Sequence, residues 1–196
     1  MTQNILLGAF GEVGFEICQF LLERGEVVYH LSVEYPINEE ELEDKLMFIG
    51  RNDNFKDCEL KDLSIEEESK SLRFIIPLLD WDSFHSNHIE GVFQRVKEML
   101  DEQENSQTTE MLLIQSKNRH YTSQMEQLFI QHDFQPTKQF FVWFDSCMDN
   151  RDDANQWIRK KVNDFFSIME EKSEGVFHFQ VEDNQFIERN DPLTNG

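Results

Sequence analysis

The segment Gly8-Ala9-Phe10-Gly11-Glu12-Val13-Gly14 constrains this chain more than any other. It follows a short apolar run, Asn4-Ile5-Leu6-Leu7, that predicts a buried strand. It precedes residues at helical spacing from Glu12 to Arg24, with Val13, Ile17 and Leu21 on one face and Gly14, Cys18 and Leu22 beside them. Gly25 predicts the helix stop, and Val27 to Val33 a second strand. A strand, a glycine turn, a helix and a strand within about thirty residues make a βαβ module. In such a module one glycine permits the tight turn, one lets the backbone approach a pyrophosphate, and one allows close helix–sheet contact. The helix N-terminus adds amide donors and a positive dipole end. These requirements make Gly8, Phe10, Gly11, Glu12, Val13 and Gly14 the candidate dinucleotide-binding residues. The competing interpretation is a tight turn that needs its glycines and binds nothing. Glu12 bears on the choice: a carboxylate in the first helical turn either competes with pyrophosphate or points into solvent.

The rest of the chain continues the alternation. Glu39 to Lys45 is acidic and helical in pattern, Leu46-Met47-Phe48-Ile49 predicts a third strand, and Arg51 to Lys61 a polar loop. Ile65 to Lys70 predicts a short helix, and Phe74 to Leu79 a fourth strand with an end, bulge or edge at Pro77. Ile89, Val92, Phe93, Val96 and Leu100 form a helical stripe, and Met111 to Ile114 a fifth strand. Met125, Leu128 and Phe129 mark a further helix. Phe140 to Phe144 is a continuous apolar strand of the kind covered on both faces. Trp157, Ile158, Val162, Phe165 and Met169 mark the last helix. Phe177, Phe179 and Val181 predict a final strand, antiparallel at an edge. The expected fold class is α/β: a doubly wound, mostly parallel Rossmann-type sheet with a short C-terminal helix and strand extension. Residues 1–145 are expected to form the dinucleotide-binding domain, and 146–196 the extension packed on it.

Composition narrows the partners. Eighteen Lys and Arg against 39 Asp and Glu give a formal net charge of −21, which argues against nucleic acid and anionic membrane surfaces. No run reaches the length of a membrane span. The start, Met1-Thr2-Gln3-Asn4, lacks the basic residues of a signal peptide, so a cytoplasmic protein is expected. Cys18, Cys58 and Cys147 have no clustered spacing and predict reduced thiols. Asp80, Asp82, His85 and His88 offer metal-ligand types in no known metal spacing; helix capping by Asp82, Ser83 or Asn87 accounts for the segment better, and no metal is expected.

The glycine turn, followed by Leu21-Leu22-Glu23-Arg24-Gly25-Glu26-Val27-Val28, resembles the start of the extended and atypical short-chain dehydrogenase/reductases, which include nucleotide-sugar epimerases and NmrA-like proteins. The likeness covers about the first thirty residues, and element order carries it further. It implies NAD or NADP as cofactor. It also implies an acidic residue after the second strand on the adenosine ribose, for which Glu34 is the candidate, although strict register falls on Ser32 or Val33. No Lys or Arg stands nearby to receive a 2′-phosphate, which favours NAD.

In that family a Ser ends the fifth strand, and a Tyr acts with a Lys four residues on. Here Ser116 and Tyr121 match the first two, but Met125 stands in the lysine position and Gln124 before it. A lysine lowers the phenol's pKa by its charge, so its loss breaks the pair; Lys117 precedes the Tyr instead. The resemblance therefore implies a dinucleotide-binding protein without standard Tyr-Lys catalysis, in a redox-sensing or regulatory role through a protein partner. Two alternatives stand beside it: an oxidoreductase or epimerase on a small substrate, and an interaction scaffold with a ligand-free fold.

Overall fold

The computed structural model describes residues 2–32, 39–59, 71–81, 108–116, 136–144, 154–182 and 185–189, with single helical positions at 94, 97, 98 and 127. The strands are β1 (Thr2–Leu7), β2 (Val27–Leu31), β3 (Phe55–Cys58), β4 (Ser71–Pro77), β5 (Thr108–Ser116), β6 (Lys138–Phe144), β7 (Gly175–Glu182) and β8 (Gln185–Arg189). The helices are α1 (Glu12–Glu23), α2 (Glu39–Ile49) and α3 (Ala154–Glu171), with a 3-10 helix at Leu78–Trp81. One sheet runs β3-β2-β1-β4-β5-β6-β7-β8. Its first seven strands are parallel, and β8 alone is antiparallel. This is the mostly parallel Rossmann-type sheet expected. The chain leaves β1 toward β2 and β3 and returns to the other side of β1 at β4, so the C-terminal ends of β1 and β4 flank the switch point where such sheets bind ligands.

Apolar side chains fix the layers. On one face Leu6, Ile75, Leu112, Ile114, Phe140 and Val142 are buried with Val13, Ile17 and Leu21 of α1 and Ile158, Val162 and Phe165 of α3. The two helices lie side by side there, joined at their surface by Arg159 to Glu23 and by Arg24 to Glu170 at 2.5 Å. Helix α1 ends in a Schellman motif: the amides of Gly25 and Glu26 donate to the carbonyls of Leu22 and Leu21, and Gly25 takes φ +73°. At the N-terminal ends of the strands, Asn4, Arg73, Glu110 and Lys138 stand side by side across β1, β4, β5 and β6. The Arg73 guanidinium donates to Glu110 at 2.8 Å and to Asn4 at 3.2 Å, and Lys138 reaches Glu110 at 3.0 Å.

Three expectations are corrected. Leu46 to Ile49 is the last turn of α2 and not a strand. Met47 and Phe48 are exposed and only Ile49 is buried, so the apolar run is the end of a surface helix. The third strand lies in the stretch taken for a loop, at Phe55–Cys58; among the described residues it pairs only with β2, and its Lys56 and Asp57 suit an edge. The strand carrying Phe177 to Val181 is β7, parallel to β6 and internal, because β8 covers its other side as the antiparallel edge. Pro77 is the last residue of β4, where its missing donor costs the ladder nothing further. The predicted helices at 65–70, 89–100 and around Met125 lie outside the described residues, apart from single helical positions. No helix among the described residues is long and apolar enough to cross a membrane.

Candidate functional site

The glycine turn leaves β1 at Gly8, whose φ of +74° is the left-handed conformation that favours glycine. The Gly8 amide donates to Leu31 O of β2, and its carbonyl accepts from the Gly11 amide at 3.3 Å. Gly11 caps α1 with extended backbone and no side chain, so no capping oxygen comes from the cap residue. The first amides of a helix have no partner within it and must be met from elsewhere. Here the Val13 and Gly14 amides donate to the two carboxylate oxygens of Asp80, each at 2.8 Å.

Asp80 arrives from the other side of the switch point. Pro77 ends β4, the chain tightens into the 3-10 helix, and Asp80 is carried over the start of α1, where its side chain is buried. Burial pushes its carboxyl up from 3.8 to about 7, against the two amides that favour its charged form; the Glu12 carboxylate adds to the rise and Lys45 opposes it. Lys45 does not touch Asp80: its ammonium donates to Phe10 O and to Glu41, each at 2.7 Å.

The spaces at two glycines are filled from within. A Cβ on Gly11 would lie 2.1 Å from an Asp80 carboxylate oxygen, and one on Gly14 would lie 2.2 Å from the Gly8 carbonyl oxygen. Both residues are required by contacts the chain makes with itself. Phe10 turns the other way, edge-on to His30 at 4.8 Å, with Phe55 stacked on that imidazole at 6.0 Å. Burial holds the His30 pKa below its ordinary value despite the Asp57 carboxylate 3.1 Å from Nδ1.

The sequence-derived candidates divide accordingly. Gly8, Phe10, Gly11, Glu12, Val13 and Gly14 form one turn at the end of β1, with Glu12 exposed and Val13 buried. Ser116 is the buried last residue of β5, at the same C-terminal end of the parallel strands. Glu34, Tyr121 and Lys117 lie outside the described residues. Sequence reasoning missed the part Asp80 plays. It grouped that aspartate with its neighbours as a possible ligand set and gave the capping role to Asp82, Ser83 or Asn87, whereas the Asp80 carboxylate meets α1, 66 residues earlier. Among the described residues no three His, Cys, Asp or Glu side chains are grouped to hold a metal ion. Cys18 is buried, with its thiol pushed up to about 12, and carries no nucleophile.

No protein-family model matches the sequence, and no curated protein matches it. Among solved structures, a short-chain dehydrogenase/reductase from Vibrio parahaemolyticus is similar, with a TM-score of 0.56 at 11% identity, covering 91% of this chain and 99% of that chain. The likeness is one of fold, and it agrees with the strand order of the sheet.

Proposed function

We propose that this chain is a dinucleotide-binding protein of short-chain dehydrogenase fold that does not run Tyr-Lys chemistry and serves a redox-sensing or regulatory role. The observation that carries the reading is the pair of α1 amides, Val13 and Gly14, converging at 2.8 Å on two anionic oxygens at the switch point. Donors so placed are the ones a pyrophosphate uses, and here they already hold an anion. In the described arrangement that anion is the chain's own carboxylate, so a pyrophosphate does not fit the seat while Asp80 is in it. NAD is favoured over NADP by the lack of a Lys or Arg after β2, with Glu34 as the ribose acceptor. The loss of the lysine after Tyr121 argues against the oxidoreductase or epimerase reading, in which Ser116 and Tyr121 would act on a small substrate.

A second reading, a ligand-free scaffold working through protein contacts, is favoured by Gly11 and Gly14, whose open space is used by Asp80 and Gly8. Thermal unfolding separates the two. NAD, NADH, NADP and NADPH are each added at millimolar concentration to the wild type and to Asp80→Ala. A ligand that binds only the folded state at a hundredfold excess over its dissociation constant adds about 2.7 kcal/mol and raises the midpoint visibly. A rise with one of the four, in either protein, is the expected result. No rise with any of them in either protein rejects dinucleotide binding and leaves the scaffold.

A further inference from the structure

Resting on the dinucleotide reading, we propose that Asp80 is an internal occupant of the phosphate seat, an autoinhibitory contact that an anionic ligand must displace. Three features of the geometry carry this. The carboxylate takes both converging amides, one oxygen each at 2.8 Å, so it uses the donors that phosphoryl oxygens would need. It lies against the bare face of Gly11, where a Cβ would meet Oδ2 at 2.1 Å and Cγ at 2.4 Å, so it also fills the space through which a pyrophosphate approaches the turn. And the charge balance permits one anion only. Lys45 is engaged by Phe10 O and Glu41, and Glu12 adds a further negative charge beside the seat. Two anions on one pair of amides, with no cation between them among the described residues, repel in a buried site.

Occupancy by Asp80 has a second consequence. The seat stays built in the free protein: α1 keeps its N-terminal amides satisfied, and the turn keeps the shape a ligand requires. The ligand therefore trades one anion for another and does not order a loop. The cost of the trade appears as reduced apparent affinity, in proportion to the fraction of molecules with Asp80 out of the seat.

Isothermal calorimetry with inorganic pyrophosphate and with NAD tests this on the full chain, comparing wild type with Asp80→Ala and Asp80→Asn. The asparagine keeps the volume and removes the charge, so it remains informative where alanine impairs folding; circular dichroism and a cooperative melt establish folding in each case. At least tenfold tighter binding by a folded variant is the expected result. Equal affinity in wild type and variants overturns the displacement and leaves the dinucleotide reading standing. Weaker binding by the variants overturns it as well, since Asp80 would then support the ligand. No binding by any of the three proteins removes both readings. The wild type gives an independent check: on adding pyrophosphate, the Val13 and Gly14 amide resonances and the Asp80 carboxyl carbon should move together. An Asp80 signal that stays fixed while the amides respond would sink the proposal.

Discussion

The two ends of the sheet hold their buried carboxylates in opposite ways. At the N-terminal ends of the strands, burial pushes Glu110 up, but Arg73 and Lys138 outweigh it and hold its carboxyl below the ordinary value. At the C-terminal ends, Asp80 has two amides and, among the described residues, no touching cation, and burial wins, carrying it to about 7. The first is an ion-pair clamp assembled by strand register, joining β4, β5 and β6. The second is an anion held by a helix terminus. Ion-pair clamps are common structural devices; the buried Asp80 carboxylate is held instead by two backbone amides at the switch point.

The largest effect should come from breaking the clamp. Arg73 and Glu110 are largely buried, with side chains 11% and 12% exposed. Arg73→Ala leaves Glu110 with Lys138 alone and takes the guanidinium from Glu26 and Asn4. Removing one partner of a buried pair costs about 3–5 kcal/mol, measured as a drop in chemical-denaturation free energy at pH 7. A loss below about 1 kcal/mol would make the cluster a surface network and dissolve the contrast between the two ends.

Next in size is a pH slope that belongs to Asp80. Its folded carboxyl titrates near 7 against an ordinary 3.8, so the folded state holds more protons than the unfolded state between those values. Stability contributed by this group therefore falls as pH rises through that window and is level above it. From pH 5 to pH 8 linkage gives a loss of roughly 2–3 kcal/mol. Asp80→Asn should abolish that slope because an amide does not titrate, even though its NH2 group meets one α1 donor with a donor and lowers absolute stability. Glu110 works the other way: its depressed carboxyl contributes stability above the ordinary carboxylate range, lost as pH falls. Stability curves of wild type and Asp80→Asn that run parallel from pH 5 to 8 would show Asp80 ionised and unstrained.

The same contrast explains what the sequence could disclose. The buried strands Ile5 to Leu7 and Phe140 to Phe144 announce themselves by apolar runs, and the glycine turn by its spacing. The edge strand β3 carries Lys56 and Asp57 and looks like a loop, while the end of α2 carries Leu46, Met47 and Phe48 and looks like a strand. A short apolar run does not distinguish a strand from a helix end without knowledge of its neighbours. Asp80 is the clearest case. That it ends the segment after β4 is visible in the chain; that β4 lies beside β1 is a property of strand order, and only strand order brings its carboxylate to Val13 and Gly14.

Gly11 tests whether the turn is built around Asp80. Gly11→Ala places a methyl 2.1 Å from the carboxylate oxygen, an overpacking that costs about 1–3 kcal/mol. The cost should shrink in an Asp80→Ala background, because the carboxylate oxygen and Cγ are gone and only the residue's Cβ, at 2.8 Å, remains in the way. A double-mutant cycle by denaturant melts reads this coupling directly. Additive losses would show that the glycine serves the backbone and not the carboxylate.

Gly25, at the far end of the same helix, supplies the control and the smallest effect. It has a positive φ of +73°, and a methyl added there would meet nothing within 4 Å, so space is free and only conformation is at stake. Gly25→Ala should cost about 1 kcal/mol, the ordinary strain of a side chain at a left-handed helix cap. Since Asp80 is at the opposite end of α1, that cost should be the same with or without the Asp80→Ala change. A denaturant melt of the four proteins gives both numbers. Coupling at Gly25 as strong as at Gly11 would mean that removing Asp80 loosens α1 as a whole. The coupling at Gly11 would then report that loosening and not its contact with the carboxylate.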